Sequence, residues 1–152
     1  MHRCSIIFVV DEQTGKYCIQ RRSLNKDYQP GKMDISFGGV VRANEMRDMH
    51  EAAEREVREE LGILGIDSRQ LALNYAFKQR YEDAFTQCWA YVYYLKWPRF
   101  GQFQCGRQIQ LRPQETEVDA LFWWNEYEIS HGLENGAIPK EGAPIWSKWL
   151  DY

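Results

Sequence analysis

Three carboxylates in the run REVREELGI could do chemistry: Glu56, Glu59 and Glu60 fall at i, i+3 and i+4. At roughly 100° per residue, a helix places all three on one narrow flank. Glu56 and Glu60 face each other at i,i+4, and neither has a Lys or Arg at its other i±4 position. Such a like-charge pair costs about 0.2–0.5 kcal/mol on an exposed helix. A divalent cation would reverse that sign, and clustered carboxylate oxygens suit Mg²⁺ or Mn²⁺, hard ions that keep several waters and bind substrate phosphates. A solvated acidic helix face is the alternative for three glutamates taken alone; the surrounding residues decide between the two.

The helix that must carry them is legible. Asp48 with Glu51 reads as an N-terminal cap, which predicts a helix from about Met49 to Leu61 that stops at Gly62. Ala53, Val57 and Leu61 form its i,i+4 apolar stripe, so the glutamate flank borders the buried face. Glu51 with Arg55 and Glu54 with Arg58 are i,i+4 pairs, and Arg55 also reaches Glu59. Upstream, Ser5–Val10 and Lys16–Arg22 predict a hairpin around DEQTG, and SLNKDYQPGKMD a polar loop. Ile35–Phe37 predicts a short strand that runs into Gly38–Gly39, where backbone can approach a ligand closely.

Downstream, Leu71–Arg80 and Phe85–Lys96 read as a long hairpin turning at Glu82–Asp83, with Tyr75, Phe77, Trp89, Tyr91 and Tyr93 read as sheet core. The stretch Trp97–Gly106 looks irregular, and Glu117–Trp124 predicts another strand. Asn125 with Glu128 caps a second helix, and Pro144–Tyr152 a short amphipathic one. Strands interleaved with helices around a mixed sheet indicate an α/β sandwich.

The chain has 152 residues, one domain's worth, with 44% hydrophobic and 14% aromatic content and a net charge of −3. That balance argues against a nucleic-acid surface as the main function. No apolar run approaches the ~20 residues of a membrane span. Cys4, Cys18, Cys88 and Cys105 are far apart with no zinc spacing, which points to free thiols in a reducing compartment and a cytoplasmic location.

The stretch from Gly38 to Ile63 resembles the Nudix box: G, five residues, E, seven residues, then R-E-U-x-E-E-x-G-U with U aliphatic. Gly39 to Glu45 fits the first spacing and Arg55 to Ile63 the whole second half. Nine residues, not seven, separate Glu45 from Arg55, so two extra residues are assigned to the loop before Asp48 and Glu45 is not carried over as a site residue. QRRSLNKDYQPGKMD, EVDALFWW and PIWSKWL further resemble the branch of the superfamily nearest isopentenyl diphosphate isomerase. The isomerase's catalytic cysteine falls on Gly38, its histidine on Val40 and its acid around Thr86–Gln87, so its proton-shuffling apparatus is missing.

The resemblance implies a single Nudix-type α/β/α sandwich over residues 1–152 that cleaves a diphosphate linked to another moiety, using Mg²⁺ or Mn²⁺. It implies Glu56, Glu59 and Glu60 as metal ligands, the Gly39 carbonyl as a further one, and Arg55 as the residue that orients a glutamate. Glu117 is the candidate general base. Arg21, Arg22 and Lys32 are candidates for holding substrate phosphates, whereas His2, His50 and His131 are isolated and carry no assigned role. The loops 23–34 and 97–114 are the expected carriers of specificity for a small-molecule diphosphate. The alternatives are an isomerase-like enzyme and a non-catalytic nucleotide-binding module. Oligomeric state is left open, a homodimer included. The chain starts almost directly in its first strand where relatives often carry an extension, so a missing segment and a shortened form both stay open.

Overall fold

The computed structural model describes residues 2–45, 47–62, 71–84, 86–97 and 118–152. Its organising strand is β1 (His2–Val10), whose Ile7, Phe8 and Val9 are fully buried. β1 runs parallel to β6 (Gln87–Lys96) in a continuous register from His2↔Cys88 to Val10↔Lys96. On its other side it pairs antiparallel with β4 (Phe37–Val40) and, through Val10↔Tyr17, with β2 (Tyr17–Arg22). β2 continues beside β3 (Met33–Asp34) and β7 (Val118–Trp124), and β5 (Asn74–Glu82) closes the edge beyond β6. Seven strands thus make one mixed sheet among the described residues.

Alternation along β1 sends its side chains into two cores. Ile7 and Val9 join Ala53, Val57 and Leu61 of α1 (Met49–Leu61). Cys4 and Phe8 join Ile129 of α2 (Glu126–Glu134) and Ile145 and Trp146 of α3 (Ala143–Asp151). Helices cover both faces, which is the expected α/β/α sandwich. The C-terminal helix is fastened by rings: Trp149 donates from Nε1 to the Tyr17 hydroxyl at 2.9 Å and tilts against Phe8 at 5.0 Å between centroids. None of the helices described is long and apolar enough to cross a membrane.

The caps behave as the sequence reads. Asp48 accepts from the amides of His50 and Glu51, Gly62 ends α1 in the left-handed region, and Asn125 and Glu128 form a reciprocal capping box. Three expectations change. Gly38–Gly39 lie inside strand β4 rather than after a strand at Ile35–Phe37. The β1–β2 hairpin separates after a single register pair, because β1 is claimed by β4 and β6 and β2 by β7. Of the five hairpin aromatics read as core, Tyr93 is buried, but Tyr75 and Trp89 are exposed, the latter with the Lys78 ammonium 4.5 Å over its ring. Residues 98–117 and Ile63 lie outside the described residues, and with them most of the 97–114 loop, Cys105 and Glu117.

Candidate active site

The α1 cap and the register of β4 against β1 together build the site. Asp48 fixes where the helix begins, and the stripe Ala53–Val57–Leu61 fixes which face is buried. Rotation about the axis then grades the glutamates by depth. Glu60 is 8% exposed, the Glu56 side chain 12% and that of Glu59 42%. All three line one cleft of about 520 Å³, together with Arg55, Gly38 and Gly39.

The glutamates have partners that the pattern alone did not show. Arg55 lies between two of them, 2.8 Å from Oε1 of Glu56 and 3.0 Å from Oε2 of Glu59. Its side chain is only 18% exposed, so it is no loose surface ion pair. Glu60 accepts the Gly38 amide at 2.9 Å. Arg42 stands 3.6 Å from the other oxygen of Glu59. The expectation of an uncompensated Glu56/Glu60 pair is therefore corrected: an i,i+1 arginine and a backbone N–H from β4 offset the repulsion that spacing alone predicts. Glu54 sits 3.2 Å from His50 Nε2.

The two glycines are required by contact. Gly38 has φ +132°, and a Cβ there would run into the Ser5 carbonyl. A Cβ on Gly39 would lie 3.0 Å from Glu56 Oε1. Position 38 thus has no room for a thiol, and position 39 has its backbone laid against a glutamate. Ser5, opposite Gly39 in the register and 2% exposed, has a buried hydroxyl with no hydrogen-bond partner among the described residues.

In donor chemistry these residues fit a hard divalent cation, being three carboxylates beside a stretch of open backbone. No three His, Cys, Asp or Glu side chains among the described residues are gathered at ligating geometry. Arg55 contacts one oxygen each of Glu56 and Glu59, and the Gly38 amide donates to one oxygen of Glu60. Holding a cation means redirecting carboxylates that the helix already presents.

Of the expected phosphate-binding residues, only Arg22 lines the cleft, donating from Nε to the Tyr28 carbonyl at 3.1 Å. Arg21 points away to Asp119 at 2.7 Å, and Lys32 to the Gly136 carbonyl at 3.2 Å. Glu45 falls in a 3₁₀ turn, Ala43–Glu45, before Asp48. The sequence reading missed Lys26, Arg42, Tyr28, Tyr81 and Asp83, all of which line the cleft. Tyr28 and Asp83 are 55 residues apart, and nothing local in either segment signals that they meet. Asp34, near Arg22 and bonded to the Ser36 amide at 3.0 Å, is pushed above the usual carboxylate range by desolvation, against the pull of those two partners. Hydrogen bonding to Cys88, with burial, holds the Cys4 thiol up and neutral.

A family model described as the NUDIX domain matches residues 1–142. The uncharacterized Nudix hydrolase YfcD of Salmonella typhi is 35% identical over 129 residues, 85% of this chain and 60% of that protein. An uncharacterized Nudix hydrolase of Yersinia pestis is 33% identical over 149 residues, 98% of this chain and 71% of its own length. The chain thus spans about 60% of the length of YfcD. Among solved structures, DR0079 of Deinococcus radiodurans superposes with a TM-score of 0.71 at 21% identity, over 97% of this chain and 82% of the other. The MutT protein of Methanosarcina mazei gives 0.67 at 21%, over 99% and 93%. Both support the fold.

Proposed function

The chain belongs to the Nudix family, and we propose that it is a metal-dependent pyrophosphohydrolase that cleaves the diphosphate bond of a nucleoside diphosphate linked to another moiety. One observation carries this reading: three glutamates on a single flank of α1 line a cleft floored by side-chain-free Gly38–Gly39. Glu56, Glu59 and Glu60 would hold Mg²⁺ or Mn²⁺, with the Gly39 carbonyl as a further oxygen. When bound, the cation supplies Lewis acidity and neutralises charge on the diphosphate.

The chain's own residues divide the remaining work. Arg55 keeps Glu56 and Glu59 aimed at the cleft through its two-pronged contact. Glu60 is held by the Gly38 amide, so helix and strand cannot drift apart without breaking that bond. Arg22 and Lys26 line the cleft as cations suited to the phosphates. In the reaction a water oxygen bonds to one phosphorus while the bridging P–O bond breaks, and a base takes the proton. Glu117 remains the candidate base, on sequence grounds.

An isomerase built on a thiol at position 38 is not supported, since a side chain there meets the Ser5 carbonyl. The reading is tested on a panel of sugar nucleotides, dinucleotides and nucleoside triphosphates with metal titration. Turnover that needs Mg²⁺ or Mn²⁺ and disappears in Glu59→Gln and Glu60→Gln is expected. Ligand binding indifferent to chelator, with no turnover anywhere, would identify a binding module instead.

A further inference from the structure

One buried polar group beside the glutamates has no part in the chemistry described so far. Ser5 alternates in phase with Ile7 and Val9, the residues of β1 that pack with Ala53 and Val57 of α1. It lines the cleft, and its hydroxyl oxygen is buried without a hydrogen-bond partner among the described residues. Buried hydroxyls are rarely left so, and a ligand-bound state that supplies an acceptor is one way to satisfy them. Across the ladder Ser5 is paired with Gly39. Directly opposed residues of an antiparallel pair point to the same face, with Cβ positions about 4.5–5.5 Å apart. The Glu56 carboxylate fills the place beside Ser5 that Gly39 leaves open: its Oε1, Cδ and Oε2 lie 3.0, 3.3 and 3.5 Å from where a Gly39 Cβ would stand.

We infer that Ser5 is a positioning residue for the cation site, donating its hydroxyl proton to the Glu56 carboxylate when that group holds the cation. The inference rests on the metal-dependent reading above and adds a residue to its site. Arg55 stands 2.8 Å from Glu56 Oε1, so a cation and the guanidinium compete for one carboxylate. A second donor on the β1 side keeps that carboxylate over Gly39 while the arginine gives way. A hydroxyl bonded to a carboxylate is a short, charge-assisted donor, and ligating carboxylates are commonly held by such outer partners. The other two glutamates are placed differently. Glu60 accepts the Gly38 amide, which is opposite Ile6 rather than Ser5, and Glu59 reaches outward to Arg42 and Arg55. As a ligand itself, a neutral hydroxyl would compete with three carboxylates, the donors a hard cation takes first.

Two measurements on the full chain test this: Mn²⁺ titration followed by the electron paramagnetic resonance of the free ion, and urea midpoints of the metal-free protein. Ser5→Ala is expected to weaken Mn²⁺ binding about tenfold. Its metal-free midpoint should be no lower than that of the wild type, because the hydroxyl removed has no partner there. A residue needed only for packing would lower both together. In Glu56→Ala, where Glu59 and Glu60 still present carboxylates, adding Ser5→Ala should change Mn²⁺ affinity by less than about twofold. Unchanged affinity in Ser5→Ala, the full loss repeated with Glu56 already removed, or a metal-free midpoint that falls with the affinity overturns the inference. None of these measurements needs turnover. A wild type that takes up no Mn²⁺ overturns the inference together with the metal-dependent reading, whereas wild-type uptake with an indifferent Ser5→Ala overturns the inference alone.

Discussion

Gly39 and Glu56 are in contact: a methyl group added to the glycine would lie 3.0 Å from the carboxylate oxygen that Arg55 holds at 2.8 Å. The glutamate cannot withdraw without giving up its arginine, so the backbone of β4 and the flank of α1 set each other's position. Gly39→Ala should displace Glu56 by a few tenths of an ångström and lower turnover about 10- to 100-fold. The melting temperature should change little, and steady-state assays beside thermal melts separate the two effects.

Arg55 joins carboxylates that would otherwise repel each other across one helical turn. Arg55→Ala should cost about 1–3 kcal/mol in the metal-free protein, because two partly buried carboxylates lose a charged partner. Added Mg²⁺ should recover more stability in this variant than in the wild type, since the cation then has no guanidinium to displace. Urea midpoints with and without Mg²⁺ measure both. A variant no less stable than wild type, with no larger response to Mg²⁺, would remove the guanidinium from this role.

Glu60→Gln separates structure from chemistry. Its amide oxygen can still accept the Gly38 N–H seen at 2.9 Å, so stability should hold within about 1 kcal/mol. Metal-dependent turnover should vanish, as it should for the wild type in chelator. A turnover that survives the substitution would move the metal site elsewhere.

Cys18 and Tyr93 are among the buried thiols and phenols that weaken the fold in alkali. Burial pushes the Cys18 thiol from 9.0 to about 12, and burial with the neighbouring Tyr75 pushes Tyr93 from 10.0 to about 12. Both folded-state values lie above the ordinary ones, so their contribution is complete below pH 9 and is lost as pH rises through 12. Unfolding free energy should fall in that window by up to about 1.4 kcal/mol per pH unit for each group. Cys18→Ala and Tyr93→Phe should each flatten the decline, whatever they cost at neutral pH. Denaturant midpoints from pH 8 to 12 are the check.

The parts of the site that repeat locally were readable in the chain. Asp48, the stripe of Ala53, Val57 and Leu61, and Gly62 determine a helix and its buried face, and from these the glutamate flank follows. Partners that depend on sheet register were not. The amide that holds Glu60 comes from Gly38, 22 residues away, and appears only once β4 lies beside β1. Arg21 and Arg22 are adjacent in sequence, yet strand alternation sends one to Asp119 and the other to the cleft. The meeting of Tyr28 with Asp83 joins a loop to a hairpin turn across 55 residues, a distance that no periodicity spans.

β1 has a neighbour on each side over Cys4–Ile7, parallel β6 and antiparallel β4. Each amide there points to one neighbour or the other, so exposing the whole segment needs a central strand to part from both. Hydrogen–deuterium exchange should therefore be slowest across Cys4–Ile7 and at their β4 partners Phe37–Val40, and faster at the C-terminal end of α3. Gly38 and Gly39, for all their lack of side chains, would then belong to the last segment to open.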